Sequence, residues 1–354
     1  MPTREGGAHG IVIGDPCTSS RYIPGLCNAD FDVQHRLPQL LNALNEKDPL
    51  DFIVLLGDAF YDVHGMLTAS FWRQLSKKTQ QTLLLSVPGN HDFWIFSPSL
   101  AMSQDQMGIG FRQWYAQDTA ADAPKASGCE NDTDSVNETV PYPGMPGARD
   151  FFFYHIIGDI GFLGFSGAHS LESHGSLFEE ACRHFEAESA NHIYLLGHWN
   201  EGGLGCEPGM DVPSVFDHLQ RGPCHVVAPR MRYMMGHAHC NEAMADGRGF
   251  LLGGGGSAHG YCGDWGVGYL DTRPRPASAG GFMHSHAEAE HVLAKVTLAT
   301  ETTDRFPPLM SCIASRRSLR ACLDGHAAEI WVNETADAGF STTGQPSSHP
   351  SSRE

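Results

Sequence analysis

Positive charge is scarce in this sequence: 23 lysine and arginine side chains stand against 41 aspartates and glutamates, a formal net charge of -18 over 354 residues. Such a surface repels phosphate backbones and anionic headgroups, so neither polymeric nucleic acid nor a membrane is expected as a partner. No apolar run approaches the roughly 20 residues that span a bilayer, and no apolar leader precedes the first strand-like run at residue 11. The chain therefore reads as soluble, without a signal peptide or transmembrane segment. Also missing is any Cys-x-x-Cys pair. The ten cysteines, at positions 17, 27, 129, 182, 206, 224, 240, 262, 312 and 322, are too scattered for a paired structural zinc site, and disulfides stay open. Three Asn-x-Thr sequons, at Asn131, Asn137 and Asn333, leave a secretory location open as well.

What is present is ordinary globular material, 41% hydrophobic and 10% aromatic, enough to bury a sizeable core. Strand-like and helical stretches alternate: apolar runs at 11–13 and 52–56 flank a helical pattern over 32–45, and further runs lie at 82–87, 192–196 and 231–235. Strand character also marks 151–153, 161–165, 250–256 and 291–300, and 177–189 is helical. Residues 115–149 are rich in Ala, Asp, Pro, Gly and Ser without a period and read as a surface insertion. One domain over 1–301 is expected, then a C-terminal extension over 302–354 whose end, 341–354, reads as a disordered tail. Trp72, Trp94, Trp114 and residues 151–153 read as core or pocket wall.

Five of the apolar runs end in a Gly-plus-polar step. Their candidates are Asp15 in "IGDPC", Asp58 and Tyr61 in "LLGDAFYD", Asn90 and His91 in "PGNHD", His198 in "LLGHW", and His237 and His239 in "MMGHAH". Open α/β sheets place ligands at the C-terminal ends of their strands, so the recurrence argues for one shared site. A pair of metal ions about 3.5–4 Å apart needs a bridging carboxylate, oxygen and imidazole ligands, and open positions for water and phosphate. The set supplies all of these. Glycine before each candidate lets the strand turn sharply and lets backbone approach the ions.

The order Asp, Gly-Asp-x-x-Tyr, Gly-Asn-His-Asp, Gly-His, Gly-His-x-His resembles the calcineurin-like metallophosphoesterases, and within them it is most similar to purple acid phosphatases. Most members of that superfamily carry Asp-x-His in the first block, where this chain has Cys17; purple acid phosphatases lack that histidine and use a tyrosine at the position of Tyr61. The resemblance implies a four-layer α/β/β/α sandwich with mixed sheets and two metal ions, Fe(III) plus zinc, manganese or Fe(II). Asp15, Asp58, Tyr61 and His239 would surround the ferric ion, Asn90, His198 and His237 the second metal, and Asp58 would bridge. His91 would contact phosphate or protonate the leaving oxygen. The implied activity is acid phosphatase-like: a metal-bound hydroxide attacks a small phosphomonoester. The family's histidine after the Gly-His block has no counterpart between Trp199 and Asp217, and Asn200, Glu201, His64, His169 or His259 are the candidates to replace it.

Two rivals stand beside this reading. One keeps the fold but makes the chain a phosphodiesterase or nucleotide hydrolase using manganese or zinc, with Tyr61 uncoordinated; the other is a catalytically silent scaffold. Cys17 reads as a disulfide partner or small buried hydrophobe ahead of a metal ligand. His284, His286 and His291 read as alternation on a solvent-facing strand and carry no assigned chemistry. The run 253–256 lacks a following Lys-Ser or Lys-Thr and reads as a tight turn. The oligomeric state stays open.

Overall fold

The computed structural model describes residues 2–3, 6–18, 25–62, 65–93, 109–115, 148–256, 262–274, 290–315, 318–323 and 328–335. Most of the expected insertion, Trp94, Cys129, Asn131, Asn137, His64, His259, His284, His286 and the tail lie outside them.

Twelve strands are described: β1 His9–Ile13, β2 Phe52–Leu55, β3 Leu83–Ser86, β4 Phe153–Ile157, β5 Ile160–Gly164, β6 His192–Leu196, β7 Met231–Met235, β8 Asn241–Ala243, β9 Gly249–Leu252, β10 Asp264–Asp271, β11 Glu290–Thr300 and β12 Ala328–Thr335. They form two six-stranded mixed sheets, ordered β12-β11-β10-β1-β2-β3 and β4-β5-β6-β7-β9-β8. Within the first, β1, β2 and β3 run parallel; within the second, β5, β6, β7 and β9 do.

Side-chain alternation along the strands sets the layers. In β1 and β2, Ile11, Ile13, Ile53 and Leu55 pack outward against the helix Val33–Lys47 and its neighbours, while Val12, Phe52 and Val54 point inward. In β6 and β7, Ile193, Leu195, Met231 and Tyr233 pack against the helices Leu171–Ala187 and Val212–Arg221, and Tyr194, Leu196 and Met234 point inward. The inward sets meet in a core between the sheets, with Phe52 and Phe162 edge to face at 4.9 Å. Strands buried on both faces need near-continuous apolar sequence, which these have. The result is the expected four-layer α/β/β/α sandwich. The consecutive Phe151, Phe152 and Phe153 each enter a different one of the three cores. Trp114, read in sequence as core or pocket wall, is exposed.

Beyond residue 302, where the sequence signal fades, the helices Phe306–Ala314 and Leu319–Leu323 lie against the outer core, and β12 adds to the edge of the first sheet beside β11. A bidentate Arg36–Asp304 pair and a Cys312–Cys322 disulfide tie this segment down. Three more disulfides join Cys17–Cys27, Cys182–Cys224 and Cys240–Cys262, so Cys17 is a disulfide partner. His291 departs from the sequence reading. It is buried, because β11 is covered on both faces.

His174 supplies a pH-dependent element of this packing. Its ring stacks on Phe178 and meets Phe165 edge-on, its Nδ1 donates to Ser170 O at 2.9 Å, and burial pushes its pKa down to about 4. An unfolded histidine titrates near 6.5, so below that pH the unfolded chain takes up a proton that the folded chain refuses. The stability tied to neutral His174 is therefore complete above pH ~6.5 and is lost as pH falls toward ~4, a change of about 3 kcal/mol. Urea unfolding at the two ends of this window should show that loss in the parent chain and a smaller one in His174→Phe.

Candidate metal centre

All five Gly-plus-polar steps arrive at the C-terminal ends of parallel strands, on one edge of the sandwich. Backbone bonds knit neighbouring loops within each sheet: Asp15 N donates to Gly57 O in the first, and Gly236 N to His198 O in the second. The approach is close enough to require glycine. A Cβ on Gly89 would lie 2.2 Å from Asp58 Oδ1, and one on Gly236 2.6 Å from Asp15 Oδ2. The residues that follow bear the backbone cost instead: Asp15, Asp58, Tyr61, His237 and His239 all have positive φ, between 50° and 73°. A non-glycine residue in that region costs about 1 kcal/mol or more, and such residues collect where geometry is imposed by function.

The seven candidate ligands converge in two groups. In the first, Tyr61 Oη donates to Asp15 Oδ1 at 2.9 Å and lies 2.7 Å from His239 Nε2, which is 3.4 Å from Asp15 Oδ1. In the second, Asn90 Oδ1 is 3.1 Å from His198 Nε2 and 3.0 Å from His237 Nδ1, and these two nitrogens are 3.2 Å apart. Asp58 faces both groups. Its Oδ1 is 3.4 Å from His198 Nε2, and a carboxylate oxygen of Asp58 lies within 4.8 Å of ligand atoms of Asp15 and His239. His198 Nδ1 donates to Leu56 O at 2.7 Å, so in the neutral ring, the form that binds a metal, the Nε2 lone pair faces the cluster.

Asp15, Asp58, Asn90 and His198 are at most 1% exposed. Burying two carboxylates this way is costly unless positive charge accompanies them. Burial pushes the Asp58 carboxyl up, but His198, His91 and His237 outweigh it and hold it well below the usual carboxylate range. Burial likewise opposes charge on His198, yet the carboxylates of Asp58 and Asp15 raise it to about 9. His237, lowered by burial and by His198, falls to about 4. Hard carboxylate and amide oxygens beside imidazole nitrogens, with one carboxylate reaching both groups, fit a pair of metal cations.

His91 sits beside the cluster, its backbone N donating to Asp58 Oδ1 at 2.8 Å and its ring centroid 4.8 Å from that of Tyr61. Of the candidates for the missing histidine, His169 lies 2.9 Å from Ser166 Oγ and packs on Phe151, and Glu201 is exposed. Asn200 Oδ1 is buried and has no hydrogen-bond partner among the described residues.

One residue of the site escaped the motif reading. Asp92 accepts from three backbone N–H groups, those of Asp58 (2.8 Å), Gly89 (2.7 Å) and Ala59 (3.0 Å), and so locks two ligand loops together. The aspartate closing "PGNHD", next to two candidate ligands, was the available signal. Removing the acceptor leaves three buried donors at ~1–3 kcal/mol each. Asp92→Ala should therefore lower unfolding stability by about 3 kcal/mol or more, measured by urea titration.

The calcineurin-like phosphoesterase family model matches residues 11–241, which takes in all seven converging side chains. No curated protein matches the sequence. Among solved structures, a purple acid phosphatase from yellow lupin (Lupinus luteus) seeds aligns at 13% identity over 84% of this chain and 52% of that one, with a TM-score of 0.48. A 5'-nucleotidase from Candida albicans aligns at 14% identity over 88% and 58%, with a TM-score of 0.39. A predicted phosphoesterase from Streptococcus pneumoniae aligns at 10% over 82% and 90%, with a TM-score of 0.27. The chain spans about half the length of the lupin enzyme.

Proposed function

The chain belongs to the calcineurin-like phosphoesterase family, and we propose that it hydrolyses small phosphomonoesters at a dinuclear centre of the purple acid phosphatase kind, Fe(III) plus zinc, manganese or Fe(II). The observation that carries the choice within the family is Tyr61. Its hydroxyl lies among the donors, 2.9 Å from Asp15 Oδ1 and 2.7 Å from His239 Nε2, while Cys17, at the position of the usual histidine, is tied up in a disulfide. Burial and the carboxylates of Asp15 and Asp58 hold the Tyr61 proton well above the ordinary phenol range. A hard trivalent cation displaces such a proton more readily than a divalent one, which favours ferric iron.

In this reading Asp15, Tyr61 and His239 would hold one ion, Asn90, His198 and His237 the other, and Asp58 would serve both. When bound, such ions would supply an activated water and neutralise charge on the phosphate oxygens. The protein's part is positioning. Leu56 O fixes the tautomer of neutral His198, Asp92 holds two loops in register, and His91, beside Tyr61, would give a proton to the departing ester oxygen. Four disulfides support an oxidising compartment, and no described helix is long and apolar enough to cross a membrane.

The test is an optical spectrum taken beside turnover of an aryl phosphomonoester and the matching diester. A visible tyrosinate-to-iron band, lost in Tyr61→Phe, with faster monoester hydrolysis is expected. Absence of the band from metal-loaded protein, or a preference for the diester, would move the chain to the manganese or zinc phosphodiesterase or nucleotide hydrolase reading.

A further inference from the structure

The opposite edge of the sandwich carries a second cluster of ligand-competent side chains. His192 opens β6, His291 lies at the start of β11, and Glu334 lies near the end of the antiparallel β12, so all three meet at the N-terminal ends of the parallel strands. His192 and His198 are separated by the length of β6, about 20 Å at ~3.3 Å per residue. One ligand atom from each of His192, His291 and Glu334 lies within 4.8 Å of the other two. The imidazole rings of His192 and His291 overlap at 3.8 Å between centroids, and His291 Nδ1 is 3.1 Å from Glu334 Oε2. Two ligands bound ~2.0–2.1 Å from a tetrahedral ion sit about 3.3 Å apart, so this pair is already near the required spacing. The His192 side chain, 20% exposed, is the third arm of the cluster.

The surroundings match what a metal-binding histidine needs. Tyr194 Oη lies 2.6 Å from His291 Nε2; taking the proton of that nitrogen leaves Nδ1 as the lone-pair donor. Arg232 pairs with Glu334 Oε1, leaving Oε2 to face the histidines. Asp159 Oδ2 is 3.8 Å from His192 Nε2 and balances charge. A cavity of about 390 Å³, lined by Glu334, Arg232, Arg248, His225 and Trp331 among others, adjoins the cluster through Glu334.

We propose that His192, His291 and Glu334 form a separate site for a single zinc-class divalent ion that staples the two sheets together at the edge away from the catalytic centre. Its bland rival is a fixed hydrogen-bond relay, Tyr194–His291–Glu334–Arg232, that binds no metal. Equilibrium dialysis of the full chain against Zn²⁺, followed by elemental analysis, separates the two. His192→Ala and Glu334→Gln should each bind one zinc ion per chain fewer than the parent, and the folded state should be checked by thermal unfolding. The difference decides, not the total, so loss of the catalytic-centre reading would leave this proposal standing. Should either variant fail to fold, the Asp15→Asn/Asp58→Asn chain decides, because the proposal has it retain a zinc ion that His192 protects from chelator. Equal zinc content in parent and folded variants, or an Asp15→Asn/Asp58→Asn chain that binds none, overturns the site.

Discussion

Asp58→Asn should abolish phosphomonoester turnover, lowering kcat/KM by about three to four decades, and should leave the catalytic centre with fewer than two ions per chain. The size follows from what this carboxylate does. Its Oδ1 approaches the Asn90–His198–His237 group while its carboxylate also reaches Asp15 and His239, so its charge is shared between both halves. An amide of the same shape keeps the volume and loses the charge that offsets two cations. Charge stabilisation by bound metals is worth several kcal/mol, and each 1.36 kcal/mol is a factor of ten in rate. Turnover assayed beside elemental analysis checks the outcome. Full turnover by the variant would remove Asp58 from the bridging role. The variant should also fold, since the backbone N–H of Asp58 is held by Asp92 whatever the Asp58 side chain is.

His91→Ala should behave differently: a fall in kcat of about 10²–10⁴-fold, the usual worth of a positioned acid, with metal content unchanged. The ring stands beside the cluster against Tyr61, and its anchoring contact to Asp58 is made by the backbone N, which the substitution keeps. If the ring protonates the leaving oxygen, alkyl phosphates, whose leaving groups are poor, should suffer more than aryl phosphates. A uniform loss across leaving groups would place His91 as a phosphate contact instead. Loss of metal would make it a ligand.

The site was legible in sequence because the fold repeats one device: a buried parallel strand ends in glycine, and the next residue carries the donor. Asp15, Asp58, Asn90, His198 and His237 each follow that rule, and Tyr61 and His239 sit a short, fixed step beyond it. Asp92 was not legible as a clamp, since its partners are backbone N–H groups brought in by tertiary structure. The helix Val212–Arg221 went unread in sequence although it carries the signals, an Asp211 cap and apolar residues at 212, 215, 216 and 219, on helical spacing. Strand β12 was harder. Its large apolar residues Ile330, Trp331 and Val332 are consecutive and do not alternate, and Ile330 is 44% exposed at the edge of the sheet. His291 shows the same limit, because alternation cannot distinguish a strand with one wet face from one covered on both. Nor can local pattern bring His192 to His291, whose rings meet only through the stacking of the two sheets.

The most direct test is anomalous diffraction from crystals of the metal-loaded protein. Two ions about 3.5–4 Å apart are predicted among Asp15, Asp58, Tyr61, Asn90, His198, His237 and His239, with Asp58 in contact with both. A single ion there, or none in protein that turns over phosphomonoesters, would contradict the account.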